Sequence, residues 1–216
     1  MRLAILGASG HGKVVADAAE HAGWQSVVFF DDAWPGLQVN GPWAVEGSTE
    51  ALIGRLTDFD GVVVAIGNNR IRSVKQAELV AAGGKMATIV HPSATVSVHA
   101  FIDEGSLVFA HAVVNACATV GAGVIINTGA VVEHDCAVGN FAHISPNAVL
   151  AGGVTLGPLA WVGSCASVRQ LIAVGEASVV GMGAVVTRDV ISGVTVVGNP
   201  AKVKVVEPRN QDTHSI

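Results

Sequence analysis

The 216 residues are half hydrophobic and only 13% charged, enough apolar material for one large or two small cores and too much for a disordered chain. Twelve basic against seventeen acidic residues leave a net charge of -5, which excludes the basic excess of a nucleic-acid-binding surface. The first apolar run, Leu3 to Leu6, is shorter than a signal-peptide core, and no stretch approaches the roughly 18 apolar residues of a membrane span, so the expected setting is the cytoplasm. Three cysteines, Cys117, Cys136 and Cys165, have neither disulfide nor zinc spacing and read as buried reduced thiols.

Residues 1 to 88 alternate short β-branched runs with amphipathic stretches. Strands are expected at Leu3–Gly7, Ser26–Asp31 and Gly61–Gly67, and helices at Gly12–His21, Ser48–Leu56 and Ile71–Ala82. That order implies a parallel sheet with right-handed crossovers, about half of a dinucleotide-binding fold. Three loops follow the strands: Ala8-Ser9-Gly10-His11 in a glycine-rich turn, Asp31-Asp32, and Gly67-Asn68-Asn69. All three belong to the carboxyl edge, where such sheets bind ligands, and a helix N-terminus there attracts phosphate. The turn is GxxGxG rather than GxGxxG, and no second mononucleotide half follows, which argues against an NAD-linked oxidoreductase.

From Ala94 the period changes to six. Stepping from Val96 to Val186 meets sixteen residues, every one Val, Ile or Leu, and the residue two places earlier is Ala in ten cases. One large aliphatic and one small residue pointing inward, followed by a tight turn, build a three-sided prism. Each coil then takes eighteen residues, so the ladder from Val96 to Val186 spans a little over five coils, stacked at about 4.8 Å. The expected second domain is residues 89–216, an all-β parallel helix with a C-terminal tail.

An ionisable cluster interrupts this ladder in the run Asn127-Thr128-Gly129-Ala130-Val131-Val132-Glu133-His134-Asp135-Cys136. His134 lies two residues beyond the inward Val132, at a prism corner, so its ring projects outward. Asp135 beside it would bond one ring nitrogen and raise the basicity of the other. Gly152, one coil on, stacks over His134, and a backbone N–H of Gly152 or Gly153 would stabilise an oxyanion. His111, His134 and His143 occupy different positions of the period, so no shared metal ion is expected.

The NTGAVVEHDC run, together with Val114-Asn115-Ala116, His143, Ala151-Gly152-Gly153 and Gly198-Asn199-Pro200-Ala201-Lys202, resembles the bacterial sugar O-acyltransferase family. That family includes sialic acid O-acetyltransferases and nucleotide-amino-sugar N-acetyltransferases. The N-terminal GASGHG, FFDD, AIGNNRIR and VHPSA segments match it as well. The resemblance implies a left-handed β-helix, a homotrimer, acetyl-CoA as cosubstrate lying between adjacent β-helices, His134 as base assisted by Asp135, and Asn127 in the same catalytic set. Outward apolar residues such as Phe109, Val113 and Trp161 suit the trimer. His143 and Trp161, one coil apart on one face, would flank the pantetheine arm, with Gly152 nearby, and Lys202 and Lys204 would meet coenzyme A phosphates. The acceptor would be a nucleotide-linked, most simply UDP-linked, 4-amino-4,6-dideoxy sugar held by Ala8–His11, Asp31, Asp32 and Gly67–Asn69. O-acetylation of a sialic acid is the alternative reaction, and a non-catalytic nucleotide-sensing scaffold the alternative of another class.

Overall fold

In the computed structural model, which describes residues 1–204, the chain opens with β1 (Arg2–Leu6), α1 (Gly10–His21), β2 (Ser26–Phe30), β3 (Val39–Asn40), β4 (Trp43–Ala44), α2 (Thr49–Ile53), β5 (Gly61–Val64) and α3 (Asn69–Ala81). β1 is the central strand of a parallel sheet ordered β2-β1-β5. It is buried on both faces, which is why Leu3 to Leu6 is an unbroken apolar run. The expected second helix is shorter, ending at Ile53 with Gly54 as its cap, and a 3-10 turn over Leu56–Asp58 follows. The antiparallel pair β3–β4 was not anticipated, since two-residue strands carry no period.

At Ile89 the chain enters a three-sided parallel β-helix whose register is eighteen residues. Val113, Val131 and Val149 pair in succession on the first face, Thr119, Ala137 and Thr155 on the second, and Ile125, His143 and Trp161 on the third. The aliphatic ladder and the small residues two places before it form one buried cluster from Val108 to Val196. Nine non-glycine residues of those described, Asp135 (φ 59°) and Leu171 (φ 61°) among them, have left-handed backbone. That geometry is uncommon for such residues. It persists because the corner N–H groups bond carbonyls one coil below, as from Asp135 to Ala116 and from Gly153 to His134.

The ladder is longer than the six-step count. It starts one rung early, with Ile89–Val90 paired to Leu107–Val108, and passes Val186 to reach Thr195–Val197, on which Lys202–Val203 folds back antiparallel. Val174 bridges to Val190, sixteen residues on instead of eighteen, so the strict period stops there. Residues 205–216 of the expected second domain lie outside the described residues.

Two expectations are corrected. Phe109 does not offer a subunit face: it is 1% exposed and joins Leu107, Ile125 and the core of α1, β1 and β2, because the N-terminal part packs on the lower third face. Cys117 and Cys165 are exposed corner residues, and only Cys136, in an inward small-residue slot, is a buried thiol.

Candidate active site

The turn between the first and second faces places His134 at an open corner. Its Nδ1 lies 2.7 Å from Oδ2 of Asp135, and both side chains are about two-thirds exposed. The left-handed backbone of Asp135 turns its carboxylate back towards the preceding residue's ring. That hydrogen bond, and then the charges of Asp135 and Glu133, hold the His134 pKa above the ordinary 6.5. With Nδ1–H donated to Asp135, Nε2 is the free base of the neutral ring. Glu133 is held by Asn115, whose amide donates to it at 2.8 Å.

His134, Asp135, Gly152, Gly153, Gln170 and Leu171 line one cleft of about 270 Å³. Gly152 carries no side chain where the imidazole lies, since a Cβ there would fall 2.5 Å from Nε2. Of the two candidate oxyanion donors, Gly153 is excluded: its N–H bonds the His134 carbonyl at 2.9 Å. The Gly152 N–H takes no part in the coil-to-coil ladder among the described residues.

His143, Trp161 and Lys202 all lie on the third face, in strands of one sheet. The corner carrying His134 joins the first and second faces and is therefore opposite that sheet in the same prism. One chain does not bring the two sets together. The His143 and Trp161 rings stack at 5.4 Å and 6°, and the Trp161 indole N–H donates to Ser145 Oγ at 2.7 Å. Trp161 stays 41% exposed, whereas His143 is buried under the N-terminal part, 3.2 Å from the Asn127 amide and 6.4 Å, ring to ring, from His11. Burial, followed by the nearby Arg72 charge, pushes His143 down to about 3 and His11 to about 4, so both rings are neutral at physiological pH. His143 Nδ1 and His11 Nε2 are buried without a hydrogen-bond partner among the described residues. Lys202 is exposed at the far end of the face, and Lys204 follows it.

The three N-terminal loops do meet at the carboxyl edge of the small sheet. Asp31 Oδ2 accepts from the Ala8 N–H at 2.7 Å and Gly7 N–H donates to Phe30 O at 2.8 Å, tying the first two loops together. Ser9 and Gly10 are exposed at the start of α1. Asp32 accepts from Thr49 N–H and Lys75, and Asn68 caps α3 by accepting from Ile71 N–H. Asn69 points away from the edge, its amide donating to the carbonyls of Leu159 and Ala160. Arg72, which sequence reasoning missed, is buried where this edge meets the β-helix. An arginine on the buried side of an amphipathic helix was the available signal.

A parallel β-helix of six-residue rungs, with a carboxylate-backed histidine at a glycine-lined corner, defines a hexapeptide-repeat acyltransferase. The comparisons make that class more particular. Residues 2–79 match the PglD N-terminal domain. The acetyltransferase domain of PglB from Neisseria gonorrhoeae, solved with acetyl coenzyme A, is 44% identical, with a TM-score of 0.90 over 94% of this chain and 98% of that one. PerB from Caulobacter crescentus, solved with CoA and GDP-perosamine, is 35% identical, with a TM-score of 0.90 over 95% and 98%. A UDP-N-acetylbacillosamine N-acetyltransferase of Bacillus subtilis is 36% identical over 111 residues, an alignment spanning about half of each protein. The chain belongs to this family of hexapeptide-repeat sugar acetyltransferases with a PglD-type N-terminal domain.

Proposed function

We propose that this protein transfers the acetyl group of acetyl-CoA to the amine of a nucleotide-linked 4-amino-4,6-dideoxy sugar, with a UDP sugar the first acceptor to test. The family supports both substrates, since one relative was solved with CoA and GDP-perosamine and another is a UDP-N-acetylbacillosamine N-acetyltransferase. In the reaction the neutral amine attacks the thioester carbonyl, forming the C–N bond. His134 Nε2 takes the amine proton, the C–S bond then breaks, and the CoA thiolate leaves and regains a proton. Asp135 fixes the ring and stabilises the imidazolium, while the Gly152 N–H faces the developing oxyanion. The acceptor is held on the edge formed by Ala8–His11, Asp31, Asp32, Gly67 and Asn68, Asn69 being turned onto the β-helix.

The site is composite in this reading. His134, Asp135 and Gly152 of one copy face His11, Asn127, His143 and Trp161 of the next in a cyclic homotrimer, with Lys202 towards the CoA phosphates. The opposition of the His134 corner and the His143 face within one prism supports it. Exposed free thiols at Cys117 and Cys165 suit the reducing cytoplasm.

The observation that carries the reading is the 2.7 Å His134–Asp135 pair on an open, glycine-lined corner. Thiol release from acetyl-CoA, measured against a panel of UDP- and GDP-linked 4-amino sugars, tests it. One nucleotide sugar should give saturable release with an N-acetyl product, and no release with any member would contradict it.

A further inference from the structure

α3 packs on the β-helix through polar residues. Its buried positions are Asn69, Arg72, Gln76 and Leu79, an apolar-helix spacing filled mostly by hydrogen-bonding side chains. Arg72 is the largest fully buried side chain of the described residues, at 1% exposure, and has no carboxylate within ion-pair distance among them. A buried arginine is ordinarily paired, because an uncompensated charge is costly to desolvate. Here carbonyl oxygens take the place of a counter-ion, and burial brings the guanidinium pKa down to about 9.

The identity of those carbonyls gives the residue its task. Nη1 donates to Ile66 O at 2.8 Å and Gly67 O at 3.3 Å, the loop that ends β5. Nε donates to Gly123 O at 2.8 Å, and Nη2 to Phe141 O at 2.8 Å and to Ala142 O at 3.3 Å, on two successive coils. Nη2 also holds Asn69 Oδ1 at 2.9 Å, and the Asn69 amide reaches Leu159 O on a third coil. One planar fork therefore joins the Gly67 loop to the corner immediately before His143.

We propose that Arg72 is a positioning residue for acetyl transfer, registering the acceptor-binding Gly67 loop against the β-helix coils that carry His143. The proposal rests on the acceptor lying at that edge. Arg72 touches no substrate in it; it acts through the loop. A lysine reaches one or two of these carbonyls as a point charge, and a methionine reaches none.

Steady-state kinetics of the full chain and of Arg72→Met, Arg72→Lys and Gly10→Phe, each checked for native assembly by sedimentation and circular dichroism, test it. Displacing a reactant by about an ångström costs on the order of 10²-fold. Arg72→Met should accordingly lower kcat/KM for the acceptor by about 10²-fold, with a raised acceptor KM and an acetyl-CoA KM within about twofold of wild type. Arg72→Lys should recover part of that loss. A merely structural arginine would lower the amount of active enzyme and leave both KM values unchanged, and that result would overturn the proposal. If Arg72→Met does not assemble, Arg72→Lys carries the same expectation at smaller size, and an unchanged acceptor KM in it is equally contradictory. A Cβ at exposed Gly10 meets nothing within 4 Å, so a side chain there starts out into the open edge, and Gly10→Phe is expected to obstruct that edge with assembly intact. An unchanged acceptor KM in Gly10→Phe places the acceptor elsewhere and removes both readings. A raised KM in Gly10→Phe with none in the assembled Arg72 variants removes the Arg72 role alone.

Discussion

Gly152 stacks one coil above His134 so closely that a methyl group on its Cα would lie 2.5 Å from the imidazole Nε2. The missing side chain is therefore what leaves Nε2 unobstructed. Gly152→Ala has no left-handed backbone to strain, so it should fold normally and push the ring aside. We expect kcat to fall by about 10²-fold, the low end of what a general base contributes, with the melting temperature nearly unchanged. A normal kcat in a stable Gly152→Ala protein would mean that the ring does not work from this position.

The pH dependence follows from the sign of the His134 shift. Hydrogen bonding to Asp135 raises its pKa, so the ring is protonated, and useless as a base, at pH values where an ordinary histidine is already partly neutral. kcat should fall with acidity through a midpoint above 6.5. In Asp135→Asn that midpoint should move to lower pH while the loss of rate at high pH stays smaller than for loss of His134 itself. Asparagine tolerates the left-handed backbone of position 135, so the variant isolates the carboxylate charge. An acid limb that stays in place in Asp135→Asn would detach Asp135 from the base.

The placement of His134 and His143 on opposite sides of one prism makes subunit mixing informative. His134→Ala and His143→Ala should each be nearly inactive alone. Refolded together in equal amounts, they should recover up to about one quarter of wild-type activity, the fraction of interfaces in a cyclic trimer that unite two intact halves. No recovery from a properly assembled mixture would contradict a composite site.

The aliphatic ladder should dominate stability. Leu150 is fully buried between coils, and Leu150→Ala should cost about 2–5 kcal/mol, read from chemical denaturation. Leu171→Ala, at an exposed corner, should cost much less.

The β-helix was legible because a six-residue period assigns every position to core, face or corner without reference to anything distant. His134, Asp135 and Gly152 fell into place by the same arithmetic. Docking of the N-terminal part was not legible in that way. The outward positions of Phe109 and His143 look like those of Trp161 in sequence, and only the packing of α1 and α3 on the lower coils buries the first two. Arg72 on the buried side of α3 was a local signal, but the β-helix carbonyls of Gly123, Phe141 and Ala142 that satisfy it lie 51 to 70 residues away, which no local pattern records. Cys117 and Cys165 were placed by residue type, and their corner positions in the period override that preference.

His134 is the base in the proposed reaction, and single-turnover acetyl transfer by His134→Ala, beside its acetyl-CoA affinity, is the most direct measurement of that role. An exposed corner side chain adds little to the core, so the variant should assemble as the wild type does. The transfer rate should fall by about 10²–10⁴-fold and lose its acid limb, while acetyl-CoA binding changes by less than about threefold. A near-normal rate in the assembled variant, with the acid limb intact, would show that the amine's proton leaves by another route.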